Sequence, residues 1–466
     1  MKLQNFFQLA FFALVIFLFA SCKKTEDTTV TVPSDIYTES TDAATGKAAY
    51  RVKATTNGIA TEGETSFKWT KDKVWILEGF VFVNEGQTLT IEAGTLIKGA
   101  SGSGESASAL IVARGGKIIA EGTASEPIIF TAEADKLDGS LGTTNGLWGG
   151  VIVLGKAGLN SSPGESAIEG IPTSEPRGIY GGSNDADNSG VIRYVSIRHG
   201  GTNIGANNEI NGLTLGGVGS GTTIDYVEIF ANQDDGVEWF GGTVNAKHII
   251  SAACGDDSFD YDEGFRGKNQ FLISYQLTND GDRSGEHDGG TDPEDGTPYA
   301  LPTFYNVTYI GKGDNRAITF RDNAGGQYHN SIFTNFGKGI DIEILASGEN
   351  SYKRFEAGQL KLMNNSFFNV AGDDASKIFA VEVVSGKEPE AAVLDAAKAA
   401  VVASFNANGN KVENLGVSRT NLVPTTGGTT DAPSDSFFTN TSYRGAVAPT
   451  GTPWYAGWTA IEKIIQ

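Results

Sequence analysis

A four-residue apolar motif recurs through the middle of this 466-residue chain, and its spacing limits the folds open to it. The series is Tyr194-Val195-Ser196-Ile197, Tyr226-Val227-Glu228-Ile229, His248-Ile249-Ile250-Ser251, Phe271-Leu272-Ile273-Ser274, Asn306-Val307-Thr308-Tyr309, Asn330-Ser331-Ile332-Phe333 and Asn365-Ser366-Phe367-Phe368. Second positions fall at 195, 227, 249, 272, 307, 331 and 366, giving intervals of 32, 22, 23, 35, 24 and 35 residues. A unit of 22–24 residues with occasional insertions suits one turn of a spiral built from three short strands. Antiparallel hairpins have no reason to keep such a period. Upstream, Trp75–Val83, Gln87–Gly99, Ala109–Ala113, Lys117–Gly122 and Pro127–Ala132 are further short β-rich runs separated by Gly-containing corners.

Glycine supports the same reading. The chain holds 61 glycines and only 13 prolines, well above the ~7% glycine of an average protein, without a collagen period. The expected class is therefore all-β, a parallel β-helix solenoid of roughly a dozen coils rising about 4.8 Å each. Val195, Ile197, Val227, Ile229 and Ile249 are expected to point inward and stack. Asn306, Asn330 and Asn365 are expected at the bends, where an amide bonds to backbone. Pro389–Phe405 is the one good helix, Ala-rich and apolar at helical spacing, placed to cover the open last coil. The aromatic tail, from Phe437 through Trp454 and Trp458, is expected to dock on the core.

The amino terminus carries a different signal. A basic Lys2, an apolar run from Leu9 to Phe19 and the ending Leu18-Phe19-Ala20-Ser21-Cys22 read as a signal h-region, too short to span a bilayer comfortably. The ending resembles a bacterial lipobox, which implies cleavage before Cys22 and a lipid on its thiol. Lys23-Lys24-Thr25-Glu26-Asp27 resembles the charged stretch of surface-exposed Bacteroidota lipoproteins. The expected organisation is 1–21 signal peptide, 22–64 lipidated tether and N-terminal cap, 65–385 β-helix, and 386–466 C-terminal helix and aromatic capping segment. The expected location is the outer membrane, lipid-anchored at the cell surface. A net charge of −21 argues against nucleic acid as a partner and favours cations.

The strand series, together with Leu147–Gly155, Ile192–Arg198 and the Trp-rich tail, resembles the right-handed parallel β-helix of the pectin-lyase-like superfamily, and more closely a group of Bacteroidota surface lipoproteins built on it. Fold alone does not set function. Asn232-Gln233-Asp234-Asp235-Gly236-Val237-Glu238 and Gly255-Asp256-Asp257 are similar to the paired acidic strands of polygalacturonases. That resemblance implies acid–base roles for Asp235, Asp256, Asp257 and Glu238. The G-H-G and R-I-K strands of that family have no counterpart here. Pectate lyases use calcium and an arginine base, a place open to Arg266 or Arg283.

Two loops share the spacing D-x-D-x-S-G: Asp185 and Asp187 in the first, Asp280, Asp282 and Ser284 in the second, which continues to Glu286 and Asp288. Alternate oxygen ligands before a sharp glycine bend suit Ca2+. Trp239, Phe240 and Arg266 are the candidate ligand-binding residues. Cys254, on an apolar strand, is expected in the core. The leading expectation is a non-catalytic surface module binding a polysaccharide or an outer-membrane protein partner. The alternative is a calcium-assisted polysaccharide lyase or glycoside hydrolase.

Overall fold

The computed structural model describes residues 36–59, 63–205 and 208–465. Cys22 and the whole signal segment lie outside the described residues. The chain from Ala48 onward winds into stacked coils. One sheet holds ten strands, all parallel, in simple sequence order from Phe80–Val83 to Phe379–Val383. Ten strands make ten layers there, and the parallel ladder on the neighbouring face, from Ala48–Lys53 to Lys411–Val412, makes twelve, the expected number. The remaining faces fuse into a nineteen-stranded network, because strands such as Gly190–Arg198 and Thr223–Phe230 turn a corner without breaking. Among the described residues of that network only Tyr37–Thr41 and Ala48–Lys53 pair antiparallel, as an N-terminal hairpin.

The corner is a column of left-handed residues. Tyr194, Tyr226, His248, Phe271, Asn306, Asn330 and Asn364 all have φ between 49° and 64°. Side chains other than glycine rarely adopt this conformation. Stacking helps hold the first four: ring centroids are 4.3 Å apart for Tyr194–Tyr226, 4.1 Å for Tyr226–His248 and 4.9 Å for His248–Phe271. Asparagine, which tolerates the left-handed region, occupies the other three. The predicted corner residue Asn365 is displaced by its neighbour Asn364. Asn365 instead points inward, accepting from Ser331 N at 2.9 Å and donating to Tyr328 O at 2.9 Å. In register, Ile332 opposes Ser366, so the seventh repeat begins one residue earlier than the sequence alignment placed it.

Val195, Ile197, Val227, Ile229 and Ile249 are buried, as predicted. The stack begins before residue 65, since Ala48–Lys53 pairs in parallel with Val74–Glu78. Its hairpin is locked by Lys98, wholly buried, whose ammonium donates to Asp42 at 2.9 Å and to Asp135 O at 2.7 Å. At the other end, helix Ala391–Ala407 lies against Phe379–Val383 and buries Ala397, Val401 and Phe405. The aromatic tail docks on the corner column. Trp454 and Trp458 meet its rings edge-on, and the Glu228 carboxylate accepts from Ala460 N at 2.7 Å and Ile461 N at 2.8 Å.

Candidate functional site

The outer face of the ten-stranded sheet carries the acidic residues. Strand side chains alternate in and out, and parallel register stacks like positions. Thr214, Glu238, Asp260, Glu286, Thr319 and Asp341 therefore form one outward column. The bend ahead of it holds Asp235 and Asp257, 22 residues apart, the same separation as Glu238 and Asp260. These bend carboxylates link coils: Asp235 Oδ1 accepts from Asp257 N at 2.8 Å, and Asp257 accepts from Arg283 N.

At the centre of this wall the negative charge is uncompensated. Oxygens of Asp235, Glu238 and Asp260 lie within 4.8 Å of one another, as do those of Asp234, Asp235 and Asp256, and of Asp256, Asp257 and Asp282. Burial first, and then neighbouring carboxylates, push Asp235, Glu238 and Asp260 well above the ordinary carboxyl range. Asp257 is raised for the same reasons, and Asp234 is pushed up to about 7. Asn211 donates to Glu238 at 2.5 Å and to Glu169 at 2.8 Å, leaving its own Oδ1 buried without a partner. Asp260 Oδ1 is likewise buried and unpartnered.

One coil further on, arginines take over. Arg283 lies 2.7 Å from Asp282, 2.8 Å from Glu286 and 3.6 Å from Asp257. Arg321 pairs with Glu286 at 2.9 Å and Asp288 at 2.6 Å. Arg283 and Asp282 also line a cavity of about 290 Å³ with Lys312, Asp314, Arg316 and Lys338. Those four cations outnumber its two carboxylates, on a chain of net charge −21.

Several sequence candidates are thereby relocated. Asp235, Glu238, Asp256 and Asp257 do come together, but Asp235, Glu238 and Asp257 sit beneath the surface and only Asp256 is exposed. The second D-x-D-x-S-G loop forms no single cage. Ser284 turns inward to bond Ser274 at 2.7 Å, Glu286 and Asp288 belong to strand Gly285–Asp288 and are paired with arginines, and Asp280 bonds the neighbouring Gly281 N. In the first loop, Asp185 accepts from Gly158 N at 3.0 Å and pairs with Arg266 at 3.1 Å, while Asp187 accepts from Ser189 Oγ at 3.4 Å. Arg266 is thus committed to a turn away from the acidic wall.

Trp239 is corrected more sharply. It is fully buried and stacks on Phe265 at 5.2 Å, because an outward Glu238 forces its neighbour inward. Phe240 shares the outward parity but rests half-buried against Tyr180. Cys254 is in the core, its thiol pushed up to about 11 by burial. Asp260, Asn211 and Glu169 were missed. For Asp260 the signal was present, since Asp257-x-x-Asp260 repeats Asp235-x-x-Glu238 one coil later.

Residues 58–459 match a family described as a pectate-lyase-like beta helix domain. The chain belongs to that family. Stacked parallel strands are consistent with this membership, which fixes the pectin-lyase-like architecture and leaves the activity open. No curated protein and no solved structure matches the chain.

Proposed function

We propose that this β-helix is a non-catalytic binding module, lipid-anchored through Cys22 at the outer surface of a Bacteroidota outer membrane, that retains an extracellular polysaccharide with the help of Ca2+. The observation that carries the reading is the use made of the candidate acid and base. Asp235 and Asp257 spend oxygens on backbone amides of the next coil, and they lie beneath the surface with Glu238. A glycosidase needs both carboxyls free to face the scissile bond. Here they act as links between coils.

The same wall suits a hard cation. Asp235, Glu238 and Asp260 supply three oxygen ligands, and the orphaned Asp260 Oδ1 is the kind of buried acceptor that a bound cation satisfies. Bound Ca2+ supplies charge neutralisation there. The adjacent cavity with Arg283, Lys312, Arg316 and Lys338 favours a saccharide bearing carboxylate groups. A second reading, calcium-assisted lyase or hydrolase, draws on one feature: exposed Asp256 clusters with the carboxylates of Asp257 and Asp282, both beside Arg283.

A polysaccharide panel presented to the full chain, with calcium or chelator, separates the two. Retention in calcium without new chain ends supports the binding module. Cleavage abolished by Asp256→Asn replaces it with the enzyme, and absence of both retention and cleavage rejects both readings.

A further inference from the structure

A second cavity, of about 160 Å³, lies where the C-terminal segment passes the ends of strands Gly190–Arg198 and Thr223–Phe230, and nothing in the acidic wall contributes to it. That volume is roughly five times the ~30 Å³ share of one water molecule, room for a single small ring. Its walls are apolar, from Leu137, Leu141, Phe230 and Ile464, and its charged groups are the cations Arg198 and Lys463 and the single carboxylate Asp135.

Arg198 is nine-tenths buried and lines this space. Its Nε donates to Ser196 Oγ at 2.7 Å. The nearest carboxylate, Glu228, stands 3.8 Å away and is already engaged by the amides of Ala460 and Ile461. Lys463 adds a second positive charge from the C-terminal side. The one acidic lining residue, Asp135, is spent on Thr131 Oγ1 and Leu137 N, each at 2.8 Å. His199 Nδ1 meets Thr144 O at 2.5 Å, which places the proton on that nitrogen and leaves Nε2 as an acceptor. Burial lowers the ring's pKa, and Arg198 and Lys463 act in the same direction. Leu137, on the cavity wall, is held at φ 61°.

We propose that this cavity binds a small organic carboxylate with an apolar body, its anionic head on Arg198 and Lys463 and its ring against Leu137, Leu141 and Phe230. A charged head complements the two cations, and an apolar body complements the walls. The site is independent of the polysaccharide reading.

The test is calorimetric titration of the full chain with benzoate, benzyl alcohol and inorganic phosphate. Saturable benzoate binding is expected, with the alcohol and phosphate each weaker by roughly tenfold or more. Lys463→Ala removes an exposed side chain and is expected to weaken benzoate by about tenfold without moving the thermal midpoint. Leu141→Trp, which fills the space, is expected to abolish binding. Absence of benzoate binding, phosphate binding as tight as benzoate, or benzoate binding unchanged in Lys463→Ala overturns the proposal.

Discussion

Replacing Asp260 by Asn tests the charge reasoning at the centre of the acidic wall. Two unit charges 4.8 Å apart repel by about 3.5 kcal/mol at an effective dielectric of about 20, and Asp260 faces two such neighbours, Asp235 and Glu238. The folded protein escapes part of this by holding protons. For a carboxyl with an ordinary pKa of 3.8, keeping the proton at pH 7 costs at most about 4 kcal/mol, which caps the gain from neutralising it. Asp260→Asn is therefore expected to stabilise the calcium-free protein by about 2–4 kcal/mol at pH 7, and by almost nothing below pH 4.

The sign follows from the raised pKa. The folded state holds the proton more tightly than the unfolded chain, so wild-type stability in chelator falls as pH rises above about 4. Under the proposed calcium binding the order is expected to reverse in calcium, because an aspartate is a better ligand than an asparagine. Urea unfolding followed by tryptophan fluorescence, in chelator at pH 4 and 7 and in calcium at pH 7, reads all three conditions. An Asn variant that is less stable than wild type in chelator at pH 7, or equally stabilised by calcium, refutes the reasoning.

Further outcomes follow from other parts of the fold. Lys98→Met leaves Asp42 buried without its cation and is expected to cost about 3–5 kcal/mol in chemical denaturation, with Asp42→Asn on the same background recovering part of the loss. Trp458→Ala removes a buried ring that meets Tyr194 edge-on, and is expected to cost about 3–5 kcal/mol and expose the C-terminal segment to limited proteolysis. Cys254, 2% exposed with its thiol near 11, is expected to resist iodoacetamide at pH 8 until the protein is unfolded, as read by mass spectrometry.

Periodicity made the fold readable, because a parallel stack repeats its apolar positions at fixed intervals and few other architectures do. The error at the seventh repeat arose because Asn364 and Asn365 both suit a bend, and only pairing of Ser366 with Ile332 decides between them. The early start of the stack was hidden in Ala48–Lys53, where only Ala49 and Val52 are buried and the remaining residues look like tether. Acidic residues were legible as a cluster, since Asp235 and Asp257 are one period apart. Their burial was not, because it depends on Asn211, Glu169 and coil-to-coil bonds formed by residues distant in sequence. Arg283 of the loop itself and Arg321 from the next coil likewise converted an apparent calcium loop into a salt-bridged strand. Trp239 was misplaced although alternation alone, applied from Glu238, turns it inward.

Counting chain ends released from the retained polysaccharide, over a long incubation with stoichiometric protein in calcium, separates retention from cleavage. The polysaccharide is expected to stay bound, with chain ends remaining at the level of the protein-free control. A steady rise that disappears in Asp256→Asn contradicts that expectation.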